Sequence, residues 1–356
     1  GIRWLGTSIA SLSTLQRVLV VGSNLRKDHP LFAQRIRQAA RHGCQVSAID
    51  SVARDWALPV APFVAQSASQ WLQVLGGIAA SIAQEKGIAA PQGSVLTDEA
   101  ALAIARSLLG GERKAVLLGN AAAHHAQASQ LLALANWIGE QAGATVGYLT
   151  EAANTVGAQF VGAHPLQGGL NAGQMLSGGL KAALLLNTEP VQDSAAGVRA
   201  AAALAGAEMV VTLSTFKANM DFSDVLLPVA PFTETSGSFI NAEGRLQGFH
   251  AVVRPLGDTR PAWKVLRVLA NLLGLPGFDF ETSQDVLARA TNAPAGSVAH
   301  VPTAQLSNLV SALPGAAAVA GEPVVASIYQ LDGLVRRSPS LQLTADARMA
   351  REGVAA

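Results

Sequence analysis

Cysteine is almost absent from this chain of 356 residues, because Cys44 stands alone. One thiol cannot form an intrachain disulfide, and it cannot supply the several thiolates that an iron–sulfur cluster requires. Cys44 lies two residues before the apolar run 46–49, so we expect it to be a small buried residue at the start of a strand. Such scarcity of cysteine is typical of a protein in a reducing compartment.

Charged side chains and long apolar runs are also scarce. Only 14% of the residues are charged and 50% are hydrophobic, against a usual charged share of about 25%, which predicts a globular protein rich in core. The net charge of +1 gives no reason to expect nucleic acid or an anionic membrane as partner. No apolar run approaches the roughly 18 residues of a membrane span. The opening Gly1-Ile2-Arg3-Trp4 has neither Met nor a signal-peptide pattern, so we expect the inner part of a longer protein.

A strand–helix–strand pattern occupies the first 50 residues. Two apolar runs, 18–21 and 46–49, read as buried parallel strands, and a helix that begins at Pro30 connects them. Where a strand ends in glycine before a helix, the free N–H groups at the start of the helix can bind phosphate. An acid that ends the next strand can accept a hydrogen bond from a ribose hydroxyl. The alternative is a tight turn and a solvated strand end. No Gly-x-Gly-x-x-Gly is present, so an NAD site of the usual kind is not expected. The candidates for a nucleotide site are Gly22, Ser23, Asn24 and Asp50.

Strands and helices continue to alternate after Gly110-Gly111, which predicts an α/β fold with mostly parallel sheets. We therefore expect two Rossmann-like lobes, at residues 1–111 and 112–292. Residues 293–356 are rich in Pro, Ala, Gly and Ser, which predicts an irregular tail. The further strands are predicted at 115–118, 181–187, 209–213 and 225–227, and the further helices at 71–82, 97–109, 127–142, 195–205 and 261–273.

No pattern predicts a catalytic group or a metal site. His124 and His125 are adjacent at the start of a predicted helix, and adjacent residues do not share a helix face. A capping or surface role is therefore favoured over metal binding. Asp221 and Asp224 offer only two carboxylates, which is too few for a metal.

The stretch 224–247 is the most informative. Its apolar run 225–227 stops at Pro228 and reads as a strand buried on both faces. A polar loop follows, where open α/β sheets bind their ligands. Asn241, Glu243 and Arg245 then occupy alternate positions and would point the same way if extended. The alternative is a solvated hairpin edge with a Glu–Arg pair.

The motifs of this stretch resemble those of the molybdopterin oxidoreductase superfamily. They are, in order, Asp-Val-Leu-Leu-Pro, a Glu, Gly-Ser-Phe-Ile-Asn and Glu-Gly-Arg-Leu-Gln. The resemblance covers about residues 15–275. It implies two lobes that hold the two nucleotide arms of a pterin guanine dinucleotide. Leu25 replaces the proline of the family's Gly-x-Asn-Pro turn. The positions that match the family's cofactor-facing residues are Gly22, Ser23, Asn24, Asp50, Gly119, Asn154, the loop 187–190, Glu234, Asn241 and Arg245.

The tail, residues 329–347, is similar to the end of the large iron–sulfur subunit of bacterial NADH:quinone oxidoreductase (complex I). This narrower resemblance implies electron transfer from NADH to quinone, with this region structural and its ancestral pocket vestigial. It places the iron–sulfur clusters in an N-terminal region and no cofactor here. The implied partners are the other peripheral-arm subunits, including the flavin-binding NADH subunit. The implied location is the cytoplasmic face of the bacterial inner membrane, without membrane insertion.

Two alternatives remain open at this point. The chain could be the cofactor-binding part of a molybdenum or tungsten oxidoreductase such as a formate dehydrogenase, whose metal ligand would precede Gly1. The tail is too short for the β-barrel that closes over the cofactor in such enzymes. The chain could also be a plain nucleotide-binding module that kept one arm of the site.

Overall fold

A parallel sheet of five strands organises the first part of the chain. The structure, a computed structural model, describes residues 1–96, 98–294, 296–310 and 326–351. The sheet has the order β3-β2-β1-β4-β5, and every neighbouring pair is parallel. Its strands are β1 (Arg17–Val21), β2 (Gln45–Asp50), β3 (Phe63–Ala65), β4 (Lys114–Leu118) and β5 (Thr145–Tyr148).

Helices cover both faces of this sheet. Alternate residues of β1 enter two different cores: Leu19 and Val21 pack with the helices that follow β3, whereas Val18 and Val20 pack with the helix that follows β1. A parallel sheet that is buried on both faces explains why its strands are continuous apolar runs. The helices are α1 (Leu25–Asp28), α2 (Pro30–Arg41), α3 (Trp71–Lys86), α4 (Glu99–Leu109), α5 (Asn120–Ala123), α6 (Ala128–Ala142) and α7 (Thr155–Phe160).

Local signals in the sequence fix several helix ends. Pro30 occupies the first turn of α2, where its missing N–H costs nothing. The Asp98 side chain caps α4 by accepting from the Ala101 N–H at 2.9 Å. Gly87 and Gly143 end α3 and α6 in the left-handed conformation, which glycine adopts without strain.

The second part of the chain has a smaller parallel sheet and a hairpin. The sheet has the order β6-β7-β8, with β6 (Ala182–Leu186), β7 (Met209–Ser214) and β8 (Val225–Pro228). The hairpin pairs β9 (Gly237–Ile240) with β10 (Leu246–Phe249) in antiparallel fashion. The helices are α8 (Ala172–Met175), α9 (Pro190–Asp193), α10 (Val198–Ala205), α11 (Ala262–Leu272) and α12 (Ser283–Thr291), and the tail forms α13 (Ile328–Leu331), α14 (Pro339–Gln342) and α15 (Ala345–Arg351).

These elements form two compact units. The first consists of Gly1–Val156, the turn Asn241–Gly244 and the described residues from Pro302 on; the second consists of Gly157–Ile240 and Arg245–Val301. Their bounds differ from the division at residue 111, because β4 and β5 pair in the same sheet as β1. Gly110-Gly111 is only the connection between α4 and β4. Residues 295, 311–325 and 352–356 of the predicted tail lie outside the described residues.

The α/β class with mostly parallel sheets is confirmed, and most predicted strands and helices are present. One expectation about burial was wrong. β8 ends at Pro228 as predicted, but it is not buried on both faces, since none of its four side chains is buried and Val225 is 39% exposed. None of the described helices is long and apolar enough to cross a bilayer.

Candidate functional site

The order in which the chain adds strands to the first sheet reverses at β1. The chain continues from β1 to β2 on one side, whereas β4 pairs with β1 on the other side. The carboxyl ends of β1 and β4 are therefore neighbours, and a doubly wound sheet binds its ligands at such a switch point. Gly22-Ser23-Asn24 follow β1 and Gly119 follows β4, so these sequence candidates do meet here.

The two loops at the switch point touch each other. The Gly119 N–H donates to the Val21 carbonyl at 2.8 Å, and the Ala121 N–H donates to the Gly22 carbonyl at 3.0 Å. A Cβ atom on Gly119 would lie 2.3 Å from the Ser23 Cβ and 2.5 Å from the Gly22 oxygen. Even one methyl group does not fit between the loops.

Trp71, at the start of α3, closes the same place from another direction. Its indole is fully buried, and a Cβ on Gly22 would lie 2.6 Å from one of its ring carbons. Its Nε1–H donates to the Gln66 carbonyl at 2.9 Å, which fixes the ring. Gly22 has φ = +63°, so this position needs glycine both for backbone freedom and for space. No sequence pattern pointed to Trp71, because it lies about 50 residues from Gly22 along the chain.

Ser23 belongs to a buried network with His29. The His29 Nε2 lies 3.1 Å from the Thr150 carbonyl, which can only accept, so Nε2 carries the proton. The Nδ1 atom then faces the Ser23 hydroxyl at 3.5 Å. Burial lowers the pKa of His29, so the ring is neutral near pH 7. The neighbouring Asn24 precedes α1, and its carbonyl accepts from the Asp28 N–H at 2.8 Å.

Asp50 ends β2 as predicted, but its carboxylate is already occupied. One oxygen accepts from the Ser51 N–H at 2.7 Å, and the other accepts from the Arg54 Nε at 3.2 Å. Asp50 is only 3% exposed, so the alternative of a solvated strand end is wrong. Arg54, which was not among the residues predicted from the sequence, is the cation that pairs with this carboxylate.

His124 and His125 have separate roles. The His124 ring pairs with Glu151 at 2.8 Å, and this bond raises the pKa of His124. His125 is buried, and its Nδ1 accepts from the Gln127 N–H at 2.9 Å, so its Nε2 donates to the Ala68 carbonyl. It also stacks on Trp71 with ring centres 5.9 Å apart. Within the described residues, no group of three or more His, Cys, Asp or Glu side chains could hold a metal ion.

The remaining candidates lie elsewhere in the fold. Asn154 precedes α7 in the first unit. Glu234 belongs to the second unit and accepts from the Leu256 N–H at 3.0 Å. Arg245 follows the hairpin turn in the second unit and forms an isolated antiparallel bridge with His300.

The alternate residues Asn241, Glu243 and Arg245 do not form an extended row. Asn241–Gly244 is the turn between β9 and β10, because the Gly244 N–H returns to the Asn241 carbonyl at 2.9 Å and Gly244 has φ = +90°. The expectation of three parallel side chains is therefore wrong, and the hairpin alternative describes the backbone. Glu243 accepts from the Ile9 N–H at 2.7 Å.

A family model for the molybdopterin oxidoreductases matches residues 2–272. The chain belongs to the molybdopterin oxidoreductase family.

Individual relatives match over short stretches. An oxidoreductase named YjgC from Bacillus subtilis is 39% identical over 70 residues, which cover 20% of this chain and 7% of that protein. A Staphylococcus aureus protein named as a formate dehydrogenase is 39% identical over 80 residues, which cover 21% of this chain and 8% of that protein. The matches thus span less than a tenth of these curated relatives.

A solved structure supports the fold over a longer range. Acetylene hydratase from Pelobacter acetylenicus superimposes with a TM-score of 0.57 at 13% identity, over 80% of this chain and 50% of that one. At this identity the similarity concerns the fold alone.

Between its two loops, the switch point of this family member leaves no room for a ligand group. Its loops touch at Gly22 and Gly119, Trp71 lies against them, and the hydroxyl of Ser23 already faces His29. Nearby, burial raises the pKa of Asp28 to about 6, although the Asn24 backbone and the charge of Arg54 lower it.

Asp28 makes the stability of the first unit dependent on pH. Its folded pKa of about 6 lies above the ordinary 3.8, so between these values the folded state binds more protons, and stability falls as pH rises. A shift of this size corresponds to about 3 kcal/mol, which partial exposure reduces to about 2 kcal/mol. We expect Asp28→Asn to match the wild type near pH 4 and to be about 2 kcal/mol more stable near pH 7.5.

Urea unfolding at the two pH values, followed by tryptophan fluorescence, measures this difference. His29 is present in both proteins, so its opposite titration cancels. The control is Asp55→Asn, since Asp55 is an exposed acid whose pKa is lowered, chiefly by the Ala57 N–H. A stability gain in the control, or equal pH profiles for wild type and Asp28→Asn, would contradict the prediction.

Proposed function

We propose that this chain is the structural, molybdopterin-fold part of the large iron–sulfur subunit of a bacterial NADH:quinone oxidoreductase (complex I). The closed switch point carries this proposal. At this switch point the loops after β1 and β4 touch each other beside Trp71, and the Asp50 carboxylate pairs with Arg54. Contact between these loops at the usual ligand edge of the sheet favours a structural role over cofactor binding.

The tail supports the narrower assignment. Residues 329–347 resemble the end of that subunit, and in the structure they belong to the first unit. Asp346 pairs with Lys27, and the Lys27 Nζ lies 5.9 Å from the centre of the Tyr329 ring. Ala347 is fully buried. The segment that carries the resemblance is thus packed beside α1 as a part of the fold.

Under this proposal the chain has no catalytic residue, metal or resident cofactor of its own. The iron–sulfur clusters belong to the N-terminal region of the same subunit, and electrons pass from NADH to quinone through other parts of the complex. The partners are the peripheral-arm subunits, including the flavin-binding NADH subunit. The complex lies at the cytoplasmic face of the inner membrane.

Co-purification tests the proposal. The full-length native protein would be tagged and purified from detergent-solubilised membranes, and the associated chains identified by mass spectrometry. We expect a flavin-binding NADH subunit together with subunits of the quinone module. A protein that purifies alone, or with one small ferredoxin-like partner, would overturn the assignment.

A second candidate is the cofactor-binding part of a molybdopterin enzyme such as a formate dehydrogenase. The short match to a protein with that name favours it. This candidate requires the switch point to open for a guanine nucleotide. Titration calorimetry with GDP and ADP tests it, because the closed switch point predicts no preference for guanine, whereas saturable binding of GDP more than about tenfold tighter than that of ADP would favour the enzyme.

A further inference from the structure

A cavity of about 480 Å³ lies within the second unit. It is lined by residues just before β9, residues that follow β10, and the start of α11. Its walls come from four segments: the loop that contains Glu234, the stretch from Ala251 to Arg260, the beginning of α11 and the beginning of α12. The lining residues that matter for its chemistry are Glu234, Arg254, Arg260, Trp263, Lys264 and Ser283.

The charge of this cavity is strongly one-sided. Arg254, Arg260 and Lys264 contribute three positive charges, and Glu234 is the one acid among the lining residues. The whole chain is almost balanced, with 25 basic and 24 acidic residues. The cavity, by contrast, has two more positive than negative charges. Asp258 lies in the same stretch but does not line the cavity.

The charged side chains are held in different ways. The Glu234 carboxylate accepts from the Leu256 N–H at 3.0 Å, and the Arg260 guanidinium donates to the Thr259 carbonyl at 2.7 Å. Lys264 has its Nζ 5.3 Å from the centre of the Trp263 ring. These contacts leave no carboxylate bound to any of the three cations among the described residues, since the ion pairs of the chain involve other side chains.

Arg254 points most directly to an anionic ligand. Its exposed guanidinium makes no hydrogen bond or ion pair with the described residues, and it lines the cavity together with two further cations. An arginine fork is the side chain best suited to bind phosphate oxygens in pairs. The start of α11, which has no side-chain cap, adds backbone N–H groups and a favourable dipole at the same place.

We propose that this cavity binds a phosphate-bearing anion of the diphosphate class, with Arg254, Arg260 and Lys264 as its counter-ions. Ser283 supplies a hydroxyl, and Trp263 forms an apolar wall that keeps Lys264 in position. The ligand could be free pyrophosphate or the diphosphate of a nucleotide, since both present the same oxygens. The proposal does not depend on the proposed function, because every lining residue belongs to the second unit.

Trp263 provides the measurement. The other four tryptophans, Trp4, Trp56, Trp71 and Trp137, belong to the first unit. Sodium pyrophosphate added to the 356-residue protein at low ionic strength is expected to change the fluorescence saturably, and Trp263→Phe is expected to abolish most of that change. Arg254→Gln and Lys264→Gln should each weaken the affinity about tenfold, and added salt should weaken it further.

The matched control is Arg199→Gln, which removes an exposed arginine of α10 outside the cavity. It is expected to leave the affinity within about twofold of the wild type. The proposal is overturned if pyrophosphate does not bind up to about 10 mM, or if Arg199→Gln weakens binding as much as Arg254→Gln.

Nucleotides distinguish the two sources of the anion. Equal affinities for pyrophosphate, ADP and GDP support recognition of the diphosphate alone. An affinity for GDP that exceeds those for ADP and pyrophosphate more than about tenfold would show that guanine is recognised, and would overturn the proposal of an anion site. Thermal unfolding in each ligand gives an independent readout, because a ligand that binds only the folded state raises its midpoint.

Discussion

Gly22→Ala is expected to destabilise the first unit by about 3 kcal/mol, because two separate costs combine at this position. The first is the left-handed backbone, with φ = +63°, which costs a residue with a Cβ about 1 kcal/mol. The second is steric, because the new methyl group would lie 2.6 Å from the Trp71 ring and 2.7 Å from the Ala122 nitrogen. Neither neighbour can withdraw, since the ring is fully buried and the nitrogen belongs to the backbone.

Gly87→Ala separates these two costs. Gly87 ends α3 with φ = +65°, and a Cβ there would have no heavy atom within 4 Å. It therefore carries only the backbone cost, and we expect a loss of about 1 kcal/mol. Urea unfolding of both variants, followed by tryptophan fluorescence, gives the comparison. Equal losses in the two variants would show that the loops at the switch point are not in contact.

Trp71→Ala is expected to cost about 4 kcal/mol, the range for truncation of a large buried aromatic side chain. The indole fills the space beside Gly22, stacks on His125, and donates its N–H to the Gln66 carbonyl. Its removal would leave a cavity at the switch point and would take the indole partner from the Gln66 carbonyl.

Trp71→Phe provides the matched control, because phenylalanine keeps most of the ring packing and loses mainly the hydrogen bond. Its expected cost is about 1–2 kcal/mol. The unfolding midpoints of both variants measure the difference, with circular dichroism as the probe, since Trp71 itself contributes to the fluorescence. A loss in Trp71→Ala no larger than that in Trp71→Phe would mean that the indole does not fill the switch point.

Much of the sheet could be predicted from the sequence, because its central strands are continuous apolar runs that end in glycine or acid. β1, β2 and β4 follow this rule. β3 has only three residues and β5 contains Gly147, so neither gives a clear apolar run. The first unit was expected to end at residue 111 because Gly110-Gly111 was interpreted as a boundary, and the pairing of β4 with β1 cannot be deduced from the sequence.

The candidate site was harder to predict than the fold. Gly22 and Gly119 could be recognised as strand ends, and the strand order then explains their meeting. That the loops touch depends on distances between backbone atoms, which no sequence pattern encodes. Trp71 reaches them from a helix that follows β3, and only the folded chain brings it there. The pairing of Asp50 with Arg54 had no sequence signal, because the two residues are joined by a loop, where a spacing of four does not bring side chains together.

The content of molybdenum, tungsten and pterin in the native full-length protein, purified with its partners, tests the central claim most directly. Elemental analysis would give the metals per chain, and oxidation to fluorescent pterins would give the dinucleotide. The closed switch point at Gly22, Gly119 and Trp71 predicts that both contents are far below one per chain. Stoichiometric metal together with pterin guanine dinucleotide would contradict it, and would establish this chain as part of an active molybdopterin enzyme.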